Sequence, residues 1–224
     1  MSTSVTALTL DGLDKLPPHA RRCLFWEVDP SVGNGSTDFS DPVFEKEAWL
    51  STIMLEWGSC GQVALVDGRP AGSAIYSPPG SVPRASLFPT SPVSADAVLL
   101  TTLRVESADQ VDGGIGDELI QAVVRDLVRR GVRAIEAFGI RLESGEPAAQ
   151  TQPHASAALV CSAESCMIDA EFLTGAGFSV VAPHHRFPRL RLALDTDHGW
   201  KEDVEYALDQ LLAAAAAERT LVCA

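Results

Sequence analysis

Apolar and polar positions alternate in short blocks along most of the chain, and glycine- and proline-rich turns separate the blocks. Two-residue periodicity and short apolar runs predict strands, whereas apolar residues three and four apart predict helices. The predicted strands are 6–10, 62–66, 72–76, 97–105, 134–138, 178–181 and 189–194. The predicted helices are 19–27, 42–57, 117–130, 168–176 and 200–217. This order of elements indicates a mixed α/β fold with a partly antiparallel sheet.

Two local signals mark element boundaries. Asp41-Pro42 places an N-cap oxygen and an N1 proline before the helix 42–57. Asp67-Gly68 separates two predicted strands and predicts a tight hairpin. Segment 78–92 holds five prolines, and segment 141–165 is polar. Both are predicted to be irregular.

Composition and charge narrow the functional classes. The 224 residues are 46% hydrophobic and 21% charged, as expected for one globular domain spanning 1–224. Thirty acidic against seventeen basic residues give a net charge of −13, which disfavours nucleic acid and anionic membranes as partners. No apolar run approaches the about 20 residues of a membrane span, and no secretory signal is apparent. Five scattered cysteines do not form a disulfide framework, so we expect reduced thiols and a cytoplasmic protein.

A glycine-rich loop carries the clearest candidate chemistry. The strand ending Leu103-Arg104-Val105 leads into Val111-Asp112-Gly113-Gly114-Ile115-Gly116 and a predicted helix. Glycines at a helix N-terminus let free N–H groups approach a phosphate, although they also permit a tight strand-to-helix turn without any ligand. No Lys-Ser/Thr pair follows the loop, which excludes an ATP-type phosphate loop. The next strand lacks an acidic tip placed for a ribose, which disfavours a dinucleotide fold.

Between residues 62 and 194 the chain resembles the GCN5-related N-acetyltransferase (GNAT) family. Gly114-Ile115-Gly116 matches the family's Gly-x-Gly, while its Arg/Gln position falls on Val111 or, with one extra loop residue, on Gln110. Gly177-Phe178 and the strand after it match the family's later Gly-Phe pair. The resemblance implies a mostly antiparallel twisted sheet flanked by helices, with 200–217 as an additional C-terminal helix.

The same resemblance implies acetyl-CoA as cofactor and an amine as acceptor. The cofactor-binding positions that it implies are Leu103, Arg104, Val105, Val111, Gly113, Gly114, Ile115, Gly116 and Asp117. A backbone amide, for which we choose Val105, would polarise the thioester carbonyl. The acidic surface predicts a cationic acceptor, and the protein is expected to be a monomer or a homodimer.

The usual acid and base of the family are missing from their positions. Leu173 stands where many members carry a tyrosine, and the place of a glutamate base on the fourth strand falls near Leu99. Cys166 takes the position of a common asparagine, close to a predicted helix N-terminus, and is either a cofactor contact, a stand-in acid or a small buried filler. Glu136 either holds a catalytic water or is an exposed edge carboxylate. With no evident base, an ordered water is expected to relay the amine proton.

Cys161-x₄-Cys166 together with His154 could suggest a metal site. Its spacing departs from the usual zinc pattern and it lies in a predicted loop, so we predict no metal site. An alternative to acetyl transfer also stays open: a CoA-binding sensor or interaction protein with little catalysis.

Overall fold

A single twisted sheet organises the computed structural model, which describes residues 2–29, 41–106, 114–142 and 161–194. Eight strands belong to it within these residues: β1 (Thr3–Ala7), β2 (Gly61–Val66), β3 (Arg69–Ser77), β4 (Ala97–Val105), β5 (Ala134–Ile140), β6 (Ile168–Asp169), β7 (Ser179–Ala182) and β8 (Arg189–Ala193). The strand order is β1-β2-β3-β4-β5-β8-β7, and β6 pairs with β5 beside this path. The pairs β4–β5 and β5–β6 are parallel and the others are antiparallel. The predicted mixed, mostly antiparallel sheet is confirmed.

Helices pack on both faces of the sheet. The α-helices are α1 (Pro42–Glu56), α2 (Ile115–Arg129), α3 (Ala163–Cys166) and α4 (Ala170–Gly175). Short 3₁₀ helices cover Leu10–Lys15, Pro79–Ser81 and Pro83–Leu87. The last two lie in the proline-rich segment that was predicted to be irregular.

The start of α1 and the turn between β2 and β3 lie where the local sequence signals predict them. The Asp41 carboxylate accepts hydrogen bonds from the N–H groups of Val43 and Phe44, both at 3.1 Å, and so caps α1. Asp67 and Gly68 have φ angles of 48° and 80°, which are the positive values that a two-residue hairpin turn requires.

The core divides between the two sheet faces because successive strand residues point in opposite directions. One apolar cluster joins Leu100 to α2 and α4. On the other face, Val63 and Ile75 pack with α1, while Leu99 packs with the N-terminal segment and residues near α3. The N-terminal segment thus covers the face opposite α2.

Several predicted elements differ from the structure. The predicted helix 19–27 is a series of turns, because residues 23–27 are all buried and a surface helix cannot turn every side chain inward. The predicted strand 6–10 is instead Thr3–Ala7, which pairs with β2. The predicted helix 168–176 is shortened to α4, because Ile168–Asp169 pairs with β5 and Asp169 caps the helix that follows. The predicted C-terminal helix 200–217 lies outside the described residues. Among the helices that are described, none has the length and apolar character needed to span a bilayer.

Candidate active site

The parallel strands β4 and β5 pair at one end and separate at the other. Their paired residues run from Ala97–Ala134 to Leu99–Glu136. Beyond that point β5 pairs with β6, at Gly139 and Ile140, so the final residues of β4 have no pairing to β5 in the described sheet. The separation leaves backbone groups of β4 facing a cleft.

A bulge at Thr101 accompanies this separation. The β3–β4 register shifts between Ile75 and Tyr76, which pair with Thr102 and Leu100 and leave Thr101 between them. The Thr101 hydroxyl donates to the Ile75 carbonyl at 3.0 Å. Because a bulge bends its strand and increases the local twist, it turns the end of β4 away from its neighbour.

The cleft between β4 and α3 is narrow. Its volume is about 20 Å³, room for about one water molecule. Its lining comes from the N-terminal turn, α1, β3, β4 and α3: His19, Ala20, Cys23, Lys46, Ser73, Thr102, Leu103, Arg104, Ser165, Cys166 and Met167. The described lining contains two cationic side chains and no carboxylate.

Arg104 bridges the two walls of the cleft. Its Nη1 donates to the Ser165 carbonyl at 3.1 Å, and its Nε lies 3.7 Å from a Glu106 carboxylate oxygen. Both Arg104 Nε and that Glu106 oxygen are buried, and neither has a hydrogen-bond partner among the described residues. Beside the open strand edge, Arg104 Nε can donate a hydrogen bond to a polar ligand chain and the Glu106 oxygen can accept one from it.

The α2 N-terminus lies just beyond the end of β4. Its N-cap is Gly114, which brings no side-chain cap, and the first helical bond runs from the Glu118 N–H to the Gly114 carbonyl at 2.9 Å. The preceding N–H groups, from Ile115 to Asp117, therefore lack partners within the helix and favour an anion. The exposed Asp117 side chain is itself an anion, so only the backbone N–H of this residue suits anion binding.

The predicted cofactor positions have different surroundings. Leu103 is buried in the α2-side core, and Val105 and Ile115 pack against that core. A Cβ on Gly116 would lie 3.1 Å from the Phe172 ring, so this glycine allows α2 to approach α4 closely. Val111 and Gly113, with Gln110, lie outside the described residues.

Lys46 lines the cleft, and its positive charge is paired with a carboxylate. Its ammonium forms an ion pair with Glu27, and both side chains are almost fully buried. Burial raises the pKa of Glu27, while the Lys46 charge opposes that effect. Neither residue was singled out from the sequence, because their contact joins α1 to the turns before it.

Glu136 is neither an exposed carboxylate nor a water-binding group in the cleft. It is completely buried, and it accepts hydrogen bonds from the Ser94 N–H at 3.1 Å, from Arg191 Nη1 at 3.1 Å and from Arg189. Burial raises the pKa of Glu136, but these hydrogen bonds outweigh burial and bring the pKa below its usual value. The prediction of an edge carboxylate was wrong because the arginines come from β8, about 50 residues later in the chain.

Comparison with solved structures identifies this arrangement of strands. The putative acetyltransferase YncA from Salmonella typhimurium, solved with its cofactor acetyl-CoA, is similar with a TM-score of 0.50 and 15% identity, over 87% of this chain and 95% of that chain. The chain has a GNAT acetyltransferase fold. An N-acetyltransferase from Staphylococcus aureus Mu50 has a TM-score of 0.49 and 13% identity, over 87% of this chain and all of its own. The PaiA N-acetyltransferase from Thermoplasma acidophilum, in complex with coenzyme A, has a TM-score of 0.47 and 14% identity, over 86% and 99%. No family model and no curated protein matches the chain.

On this GNAT fold, the tyrosine position predicted from sequence does not face the cleft. Leu173 is completely buried in the core between α4 and the sheet. It supplies no proton donor, and no polar side chain replaces it from α4 among the cleft-lining residues.

Cys166 does line the cleft of the GNAT fold, but not at a helix N-terminus. It is the last residue of α3, and Asp169 caps α4 by accepting the Phe172 N–H at 2.8 Å. The favourable end of a helix dipole is therefore absent at its thiol. Its neighbours are instead His19, Cys23 and Cys161, a grouping that the sequence did not reveal because its halves lie more than 130 residues apart.

Proposed function

We propose that this protein transfers an acetyl group from acetyl-CoA to an amine. The separation of β4 from β5, next to the uncapped N-terminus of α2, is the observation that carries the proposal. The fold similarity to an acetyltransferase that was solved with acetyl-CoA supports it.

The described residues fit the two polar parts of that cofactor. Its pantetheine arm carries amides, which match the open edge of β4 from Leu103 to Val105 and the unsatisfied Arg104 Nε. Its pyrophosphate matches the N–H groups at the start of α2 that have no partner within the helix. Since Arg104 bridges to Ser165, we expect this side chain to swing aside when the arm enters.

Acetyl-CoA supplies the thioester carbonyl that the amine attacks. The Val105 N–H is our candidate for polarising that carbonyl, because it lies at the end of β4 where the strand edge opens. The amine must lose a proton before or during attack. Since the described lining holds no carboxylate, a water in the narrow cleft is the group that we assign to relay this proton. As the C–N bond forms, the C–S bond breaks, and the relayed proton and the departing thiolate together give free CoA thiol.

Calorimetric titration with CoA tests the binding half of the proposal. Gly114→Glu places a side chain and a negative charge at the α2 N-terminus, so we expect the Kd for CoA to rise by about tenfold or more, or about 1.4 kcal/mol. Gly114→Ala keeps the site uncharged and serves as the matched control, with the wild-type fold checked by circular dichroism. Equal affinity in wild type and Gly114→Glu would remove the α2 N-terminus from the site.

Release of free thiol from acetyl-CoA, measured with a panel of amines, tests the catalytic half. Turnover that depends on the amine supports acetyl transfer. The buried Leu173 and the absence of a carboxylate in the described lining favour a second candidate, a CoA-binding protein with little catalysis. Tight CoA binding without turnover across polyamines, aminoglycosides and lysine peptides would select that candidate.

A further inference from the structure

Four donor atoms converge at the wall of the cleft. The sulfurs of Cys23, Cys161 and Cys166 and a ring nitrogen of His19 all lie within 4.8 Å of one another. The Cys23 and Cys166 sulfurs are 3.5 Å apart, and the Cys166 sulfur is 3.7 Å from His19 Nε2. Donors this close can surround a single ion.

The Cys23–Cys166 and Cys166–His19 distances are close to those of a tetrahedral zinc site. With Zn–S near 2.3 Å and Zn–N near 2.0 Å, a tetrahedron places sulfurs about 3.8 Å apart and a sulfur and a nitrogen about 3.5 Å apart. Three cysteines and one histidine are also one of the usual structural zinc sets. Both the donor types and their spacing therefore favour zinc.

Local backbone structure delivers the ligands in two pairs. His19 and Cys23 are four residues apart, and the Cys23 N–H donates to the His19 carbonyl at 2.9 Å, so both side chains leave the same face of one turn. Cys161 and Cys166 lie just before and at the end of α3. A reciprocal capping box between Ser162 and Ser165 fixes this short helix.

The surroundings suit a closed metal site. His19, Cys23 and Cys166 are buried and Cys161 is half-buried. An apolar shell that includes Phe25 and Phe138 packs around the cysteines. Uncharged thiols hydrogen-bond weakly, so on their own they give little reason for three of them to meet an imidazole in an apolar interior.

A cationic side chain lies close enough to balance the charge of such a site. Three thiolates and one Zn²⁺ leave a net charge of −1. Phe25 packs in the same buried cluster as Cys23 and Cys166. The Arg84 guanidinium stacks 4.2 Å from the centre of the Phe25 ring, beside the proposed site.

We propose that His19, Cys23, Cys161 and Cys166 bind one zinc ion that ties the N-terminal turn to α3. All four positions of the ion are filled by protein, so its role is structural. Because His19, Cys23 and Cys166 also line the cleft, the ion fixes one wall of the candidate active site. This proposal replaces the sequence-based prediction of no metal site, and it does not depend on acetyl transfer.

Metal analysis of the full-length protein, purified without a metal-affinity step, tests the proposal. We expect about one zinc per chain by inductively coupled plasma mass spectrometry. Cys23→Ala and Cys161→Ser should each lower zinc content by about fivefold or more. Cys60→Ala is the matched control, since Cys60 is a buried cysteine outside the site whose pKa burial raises to about 12, and this variant should keep its zinc.

Measurements on the wild type keep the test decisive if a variant does not fold. Removal of zinc with a chelator should lower Tm by about 5 °C or more, and Zn²⁺ should restore it. Co²⁺ added to the metal-free protein should give the intense visible absorption of a tetrahedral thiolate site. The proposal is overturned if the wild-type protein contains no zinc and takes up neither Zn²⁺ nor Co²⁺. It is also overturned if the intact protein mass is two daltons below the value for reduced thiols and peptide mapping finds a Cys23–Cys166 disulfide.

Discussion

Glu136 places a negative charge at a fully buried position in β5. Two arginines of β8 and a backbone N–H from the loop before β4 satisfy both of its oxygens. Buried charges are tolerated only when they are paired and hydrogen-bonded in this way. The residue therefore joins two neighbouring strands and a loop through one side chain.

Substitution of Glu136 by glutamine should destabilise the protein strongly. The change leaves Arg189 without its buried partner charge, and such losses cost about 3–5 kcal/mol. Urea unfolding at pH 7 measures the free energy of unfolding. Asp96→Asn is the matched control, because it removes an exposed carboxylate from Arg191 and should have a much smaller effect. A Glu136→Gln variant as stable as the control would contradict this prediction.

The stabilisation by Glu136 should also depend on pH. Its pKa is lowered in the folded protein, whereas in the unfolded chain it lies near 4.3. The contribution is therefore complete above the unfolded value and is lost as pH falls through the folded value. The difference in unfolding free energy between wild type and Glu136→Gln should shrink below about pH 4. A difference that stays constant from pH 7 to about pH 3 would show that packing, not charge, is responsible.

Single residues also show why part of the site could not be predicted. Gly114 and Gly116 look alike in the sequence, yet Gly114 stands at the N-cap position of α2 without a side-chain cap, and Gly116 makes room for Phe172. The ring that explains Gly116 comes from a helix more than 50 residues later. Sequence spacing carries no information about such a partner without an alignment.

Among the secondary-structure elements, α4 and β8 both pack tightly against β5 at Gly139. A Cβ there would lie 2.8 Å from the Leu190 Cδ1 atom and 3.0 Å from the Ala170 Cβ atom. Real Cβ contacts are longer, so a side chain at this position would push apart the elements that β5 joins.

Gly139→Ala should therefore destabilise the protein by about 1–3 kcal/mol through overpacking. Gly175→Ala is the matched control, because its added Cβ meets no atom within 4 Å and alanine favours the helix. Thermal unfolding of both variants makes the comparison. A lower Tm for Gly175→Ala than for Gly139→Ala would contradict the tight packing that we describe.

Elements with local signals were predicted well, and elements set by distant contacts were not. Asp41 caps α1 and Asp67-Gly68 forms the hairpin turn, because each acts within a few residues of itself. Residues 19–27 were predicted to be helical, but contacts with the sheet and with α3 determine their turns. The cysteine–histidine cluster escaped prediction for the same reason, since Cys23 and Cys166 are separated by 143 residues.

The net charge of −13 predicts a cationic acceptor. An acidic surface raises the local concentration of a cationic amine, and salt screens this attraction over about 8 Å at 0.15 M. With acetyl-CoA saturating, kcat/KM for a cationic amine should fall as salt rises from low concentration to about 0.5 M. A neutral amine serves as the control and should give a flat curve. If kcat/KM for the cationic amine stays constant or rises with salt, the net charge of the protein does not attract the acceptor.

The hairpin turn and the pairing of β1 differ greatly in the chain entropy that they remove. Asp67-Gly68 closes a loop of two residues between β2 and β3, whereas β1 reaches β2 across a long intervening segment, with Thr3 opposite Val66. Since closure entropy grows with loop length, the hairpin can nucleate the sheet and β1 joins it late. β1 also buries little side-chain surface, because four of its five residues are exposed. We therefore expect the first strand in the sequence to be among the last to fold, and local opening of the native sheet to begin with its release.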